Sequence, residues 1–345
     1  MASIPAPQRA LRGHRAQRPM PRVRNSAEHH AWLAQHLTPR DRWLVRMIFE
    51  HKVFTTHQII DLCFPSRRAA NLRLHNLHQW GVLHRFQPHR DSGSHPMHYV
   101  LDTAGATLLA HEHGLEPAAL RYSRDREIGR AYSLQLAHTV GCNSLFTTLV
   151  RHARCAGATG ELTAWWSAAR CGRHWGDIIT PDGYGRWRQA GRELEWFLEF
   201  DFGTEQLSRL ANKLTRYEQL ATTTGITTPI LIWLPTLERE ATVRRTLADT
   251  LRALDHPDRV PVATTSAPAS ADPLDMTQPR WLGVGDTGTG GRVALADLPA
   301  LWPGLMPPAA HAPDTRGLGL PVEKRVDLAP PHPMPPPQPA YRGLR

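Results

Sequence analysis

The segment Glu193–Asp201, which reads Glu-Leu-Glu-Trp-Phe-Leu-Glu-Phe-Asp, restricts what this chain can fold into more than any other stretch. Side chains alternate faces along a strand, so Glu193, Glu195, Phe197, Glu199 and Asp201 share one side and Leu194, Trp196, Leu198 and Phe200 the other. Upstream, Thr180-Pro181-Asp182-Gly183 opens a second extended segment, and Gln189-Ala190-Gly191-Arg192 lies between the two. Glycine supplies the positive φ of a tight hairpin loop. With Ala190-Gly191 as that loop, Gln189 opposes Arg192 and Asp182 falls opposite Glu199, with Cβ atoms about 5 Å apart. Two carboxylates that close repel unless a cation neutralises them or one takes a proton. Mg²⁺, a hard ion held by one or two carboxylates and completed by water and phosphate oxygens, suits the pair and is the candidate cofactor.

The positive charge lies elsewhere. Residues 1–156 carry 21 Lys and Arg against 10 Asp and Glu, and residues 157–345 carry 20 against 21. A basic half joined to an acid-bearing half points to a nucleic-acid docking module beside a metal-handling site, with double-stranded DNA as partner. The length of 345 residues admits two domains with tails. No run reaches the roughly 18 apolar residues of a membrane helix, and the start lacks the apolar core of a signal peptide, so no membrane partner and a cytoplasmic location are expected. Cys63, Cys142, Cys155 and Cys171 show no paired spacing and read as reduced, packed thiols.

Residues 1–30 read as a basic arm: six arginines precede the first acid, Glu28. From Thr38, an N-cap followed by Pro39 and by Trp43, Leu44, Met47 and Ile48 at helical spacing marks a first helix. Thr55-Thr56 caps a second, and Ser66 caps a third that ends at Gly81. Val82–Phe86 and His98–Leu101 then read as a hairpin. Three short helices and a hairpin are the order of a winged helix-turn-helix, assigned to 31–115. Its third helix offers Arg67, Arg68, Asn71, Arg73 and His75 as DNA-binding residues, and the hairpin adds Arg85 and Arg90. Residues 116–156 read as bridging helices. Residues 157–302, where strands alternate with helices after an antiparallel hairpin, read as an α/β (α+β) mixed-sheet domain. Residues 303–345 hold 12 prolines and read as a disordered tail.

Asp182, then Glu199 on a neighbouring strand, then a helix bearing Lys213 and Tyr217, resembles the PD-(D/E)xK nuclease superfamily. Taken with the Thr38–Gly105 stretch, Pro181–Trp187 and Phe197–Glu205, the chain more narrowly resembles the plasmid replication-relaxation family over most of residues 38–300. The resemblance implies a restriction-endonuclease-like domain in which Asp182 and Glu199 hold Mg²⁺ and a lysine steadies the attacking water or the scissile phosphate. Asp201 stands where that lysine is expected, and Ala168 and Ala169 stand where relatives carry an acid. Either Asp201 is a third metal ligand and the lysine has moved to Lys213, making Asp182, Glu199, Asp201 and Lys213 the catalytic set, or cleavage chemistry is lost. The expected function is therefore a DNA-binding protein of plasmid replication or transfer with Mg²⁺-dependent phosphodiester hydrolysis, or a non-catalytic initiator or regulator on a degenerate nuclease fold. A homodimer and other replication or transfer proteins are candidate partners. A tyrosine relaxase finds only His111-Glu112-His113, with an acid between the histidines.

Overall fold

The computed structural model describes residues 25–88, 94–266, 277–285, 290–309 and 327–337. They form two compact units, one of residues 25–136 with 327–337, the other of residues 137–309.

In the first unit, α1 (Ala27–His36) precedes α2 (Pro39–His51), β1 (Phe54–Thr55), α3 (Thr56–Cys63), α4 (Arg67–Gln79), β2 (Leu83–Phe86), β3 (His98–Leu101), α5 (Thr103–Glu112) and α6 (Arg124–Gly129). Local chemistry sets the helix starts. Thr38 and Asp41 form a capping box with Pro39 in the first turn, Thr55 and Gln58 form another, and Ser66 accepts from the Ala69 N–H. Gly81, at φ 68°, reverses the chain after α4. The helices bury Leu44, Met47, Ile48, Ile59, Leu62, Leu74 and Leu77, and β3 pairs antiparallel with both β2 and β1.

Three features differ from expectation. Chain assigned to the basic arm is helical from Ala27, capped by Ser26. The two-residue β1 is too short to carry a periodic signal. Residues 327–337, expected to be disordered, have a defined place: the Trp43 indole N–H donates to the His332 carbonyl at 2.7 Å, and Pro330, Pro331 and His332 line a cavity of about 150 Å³ with Arg46, Phe49 and Leu109. Proline does not prevent this, because an extended Pro-rich segment presents free carbonyls to a neighbouring donor.

The second unit contains α7 (Leu136–Ala153), β4 (Gly160–Ser167), α8 (Ala168–Trp175), β5 (Gly183–Gln189), β6 (Arg192–Phe200), α9 (Leu207–Thr224), β7 (Ile230–Leu234), α10 (Leu237–Ala253), β8 (Val262–Ser266) and β9 (Leu282–Gly283). The expected bridge of residues 116–156 is thus divided, with α7 packing against the sheet. The sheet order is β4-β5-β6-β7-β8-β9. Neighbours are antiparallel from β4 to β6, parallel from β6 to β8 and antiparallel at β9, a mixed α+β architecture. The hairpin register is the expected one: Gln189 pairs with Arg192, and Ala190 and Gly191 both have positive φ.

The two sheet faces are covered by different helices. Phe146 of α7 stacks on Trp165 and Trp196, and any Cβ at Gly185 would collide with the Trp196 and Phe146 rings. On the other face, Trp166, Tyr184, Phe197, Ile230 and Ile232 pack with Leu210, Leu214 and Tyr217 of α9 and Val243 and Leu247 of α10. That second face carries the acids of β6. It is buried under α9 at Glu199, while Glu193 and Glu195, nearer the hairpin loop, are partly exposed.

Among the described residues, no helix is long and apolar enough to cross a membrane.

Candidate functional site

Asp182 lies one residue before β5, where the ladder ends at Gly183–Leu198. Its N–H donates to the Leu198 carbonyl at 3.0 Å, and its Oδ2 accepts the Phe200 N–H at 2.9 Å. The same oxygen stands 3.2 Å from His138 Nε2. Glu199, one residue from the end of β6, points under α9. Its Oε2 takes Lys213 Nζ at 2.7 Å and its Oε1 takes the Tyr217 hydroxyl at 2.6 Å. Lys213 and Tyr217, four apart, occupy one helix face. Lys213 also reaches Glu205 Oε2 at 3.1 Å.

Charge is divided unevenly between the two carboxylates. Burial raises the Glu199 pKa, the nearby Asp182 charge raises it further, and Lys213 and Tyr217 only partly oppose them, leaving it at about 7. Burial alone would lift Asp182 too, but His138, the Lys213 ammonium and the Phe200 N–H outweigh it and hold Asp182 below its ordinary value. Burial works against the Lys213 cation, yet Glu199 and Asp182 raise its pKa. Paired groups pushed apart in this way divide into an ionised partner and one that binds a proton near neutrality.

Asp201 has a different place. Its Oδ1 accepts the N–H groups of Gly203 at 2.7 Å and Glu205 at 3.2 Å, and its Oδ2 accepts Arg239 Nε at 3.1 Å and Nη2 at 2.9 Å. Both oxygens are therefore engaged in fixing the loop after β6 to the first turn of α10. The remaining acids of the face are paired as well. Glu195 accepts from Arg186, Tyr184 and Thr228, and Glu193 accepts from Thr163 and Arg188.

A Mg²⁺ ion needs carboxylate oxygens free to coordinate it. Of the trio Asp182, Glu199 and Asp201, only Asp182 has an oxygen, Oδ1, that accepts nothing from the described residues. The others hold Lys213, Tyr217, Arg239 and backbone amides. In this arrangement the trio does not fit the ion. Asp201 in particular is not an available ligand, because a guanidinium and two amides saturate it.

Sequence reasoning passed over three residues here. Arg239 gave no local signal, since its partner lies 38 positions earlier on another element. His138 and Cys142 stand four apart on α7, a readable helical pair. Together with Asp182 they bring one ligand atom each to within 4.8 Å of one another.

In the first unit, Arg67, Arg68, Asn71 and His75 are exposed on α4 and make no salt bridge or side-chain hydrogen bond to described residues. Arg73 departs from expectation. It is paired to buried Asp41 through Nε at 3.0 Å and Nη2 at 2.5 Å, and lies over the Trp80 ring. Arg85 is half-buried opposite Tyr99 in the hairpin. Arg90 lies outside the described residues. The acid between His111 and His113, Glu112, is bound by Arg42 and Arg46.

No curated protein and no solved structure matches the chain. A family model described as replication-relaxation matches residues 45–231, from within α2 to within β7. Covering more than half of the 345 residues, that match means the chain belongs to the replication-relaxation family, which suggests a role in plasmid replication or transfer.

Proposed function

We propose that the chain is a DNA-binding protein of plasmid replication or transfer. Its first unit acts as a winged helix with α4 against double-stranded DNA, and its mixed-sheet unit keeps a nuclease-like fold as scaffold without Mg²⁺-dependent cleavage. One contrast carries this reading: Arg67, Arg68, Asn71 and His75 of α4 stand exposed with no side-chain partner among the described residues, whereas Glu199 and Asp201 are already paired with Lys213 and Arg239.

Arg67 and Arg68 occupy the first turn of α4, with Asn71 and His75 following on the exposed face. A helix presented by its N-terminal half suits major-groove docking, with arginines meeting phosphate or guanine and Asn71 suited to adenine. Exposed Leu72 offers an apolar contact for a thymine methyl. Each phosphate contact contributes a slope of about −0.9 to log K against log salt. Anisotropy titration of a labelled duplex at several salt concentrations therefore tests α4 directly. Arg67→Ala with Arg68→Ala should flatten the slope by about 2. An unchanged slope and affinity would remove α4 from the interface.

A second reading, hydrolysis of phosphodiester bonds by the same sheet unit, is favoured by one observation: Lys213 Nζ lies 2.7 Å from Glu199, beside Asp182. Incubation of supercoiled plasmid with Mg²⁺ separates the two. The scaffold reading expects no nicking by the wild-type chain. Nicking that disappears in Glu199→Gln would establish the hydrolytic one.

A further inference from the structure

We propose that His138 Nδ1, Cys142 Sγ and one carboxylate oxygen of Asp182 form a binding site for a borderline-soft divalent cation of the Zn²⁺ type, with a fourth position open to water. The residues sit one helical turn apart on α7 and at the entry to β5. One ring nitrogen of His138, Cys142 Sγ and one carboxylate oxygen of Asp182 lie within 4.8 Å of one another.

The ring orientation follows from its partners. His138 Nε2 is 3.0 Å from the Phe200 carbonyl, and a carbonyl only accepts, so Nε2 carries the proton. Nδ1 faces Cys142 Sγ, 3.7 Å away, and because burial is outweighed by Cys142 and Asp182, which favour the imidazolium form, it gives up its proton when it takes a metal. A tetrahedral centre with Zn–N of about 2.0 Å and Zn–S of about 2.3 Å separates nitrogen and sulfur by about 3.5 Å, so this edge needs little adjustment. Histidine ligands commonly donate their other N–H to a backbone carbonyl or carboxylate, and here the Phe200 carbonyl takes that role. Binding releases two protons to solvent: the Cys142 S–H and His138 Nδ1–H bonds break as the sulfur–metal and nitrogen–metal bonds form.

The donor set also selects the ion. Thiolate and imidazole favour Zn²⁺ and its neighbours over Mg²⁺ and Ca²⁺, which take oxygen. Three protein ligands with solvent on one side describe an open site rather than a closed structural one. Cys142 forms the buried floor, while the His138 and Asp182 side chains are 36% and 20% exposed and leave an entrance. The inference rests on α7 and is independent of how α4 meets DNA.

Co²⁺ reports thiolate ligation by a near-ultraviolet sulfur-to-metal band together with visible d–d bands. Metal-stripped full-length protein titrated with Co²⁺ should develop both at one equivalent, and Zn²⁺ should displace them. Cys142→Ser should lose the sulfur band, and His138→Gln should weaken binding at least about tenfold. Cys155→Ser, which removes the exposed thiol, should leave the spectrum unchanged. Far-UV circular dichroism checks folding, and if Cys142→Ser is unfolded, Asp182→Asn supplies the same test through lost affinity. No Co²⁺ or Zn²⁺ uptake by the wild-type chain, or a sulfur band that survives Cys142→Ser, overturns the proposal.

Discussion

Arg239→Ala isolates what Asp201 does. In the folded chain the Asp201 side chain is 2% exposed and the Arg239 side chain 19% exposed, and two guanidinium N–H groups meet one carboxylate oxygen. Removing one partner of a buried pair leaves an uncompensated charge and costs about 3–5 kcal/mol. Asp201 would still keep the Gly203 and Glu205 amides, which places the expected loss near the lower end, about 3 kcal/mol. For a unit of this size that lowers the melting temperature by about 6–12 °C, measurable by circular dichroism on the full chain. Asp201→Asn keeps the shape and removes the charge, so adding it to Arg239→Ala should recover at least about 1 kcal/mol. A loss below about 0.5 kcal/mol for Arg239→Ala, or strict additivity in the double variant, would refute the argument and return Asp201 to the pool of available ligands.

Two other expectations follow from the same structure. Glu199 has its pKa raised from 4.5 to about 7, so its protonated form is favoured on folding and its stabilising contribution is lost as pH rises through that window. Stability measured by urea unfolding should therefore fall between about pH 5 and 7 in the wild-type chain relative to Glu199→Gln, and parallel curves would exclude the shift. In the first unit, Trp43→Phe keeps the ring and deletes the bond to His332, and should cost about 1 kcal/mol in urea unfolding. An unchanged midpoint would mean that the proline-rich segment adds nothing there.

The features legible in the sequence were those written in neighbouring residues. Thr38 with Pro39 and Asp41, Thr55 with Gln58, and Ser66 announce helix starts because a cap satisfies amides three residues away. Ala190-Gly191 fixes the hairpin because a two-residue turn with positive φ leaves one register for alternating side chains. The short α8 is amphipathic, burying Cys171 and Trp175, but its eight residues with Gly172 inside fall below the length that separates a helix from a strand. The seat of residues 327–337 on Trp43 depends on a contact 289 positions apart. Alternation correctly sorted the β6 side chains into two faces, but it could not say which face is wet. The acids were read as awaiting a metal because Arg239, the cation that meets Asp201, arrives on a later element.

That late arrival explains why a central strand tolerates so much acid. β6 lies between β5 and β7, with α9 and α10 over its charged face, so unpaired carboxylates there would be severely destabilising. Each of three acids meets a cation from a different element: Glu195 meets Arg186 of β5, Glu199 meets Lys213 of α9, and Asp201 meets Arg239 of α10. A buried pair adds little net stability over an apolar one, but it penalises every arrangement that separates its members. Slipping β6 by one residue would turn the acids toward Phe146 and the tryptophans, and sliding α9 by a turn would strand Glu199. The acidic alternation therefore acts as a key for registry, fixing hairpin, α9 and α10 against one strand. The same fixing holds Asp182 at the edge of the network, its Oδ2 between the Phe200 N–H and His138 of α7.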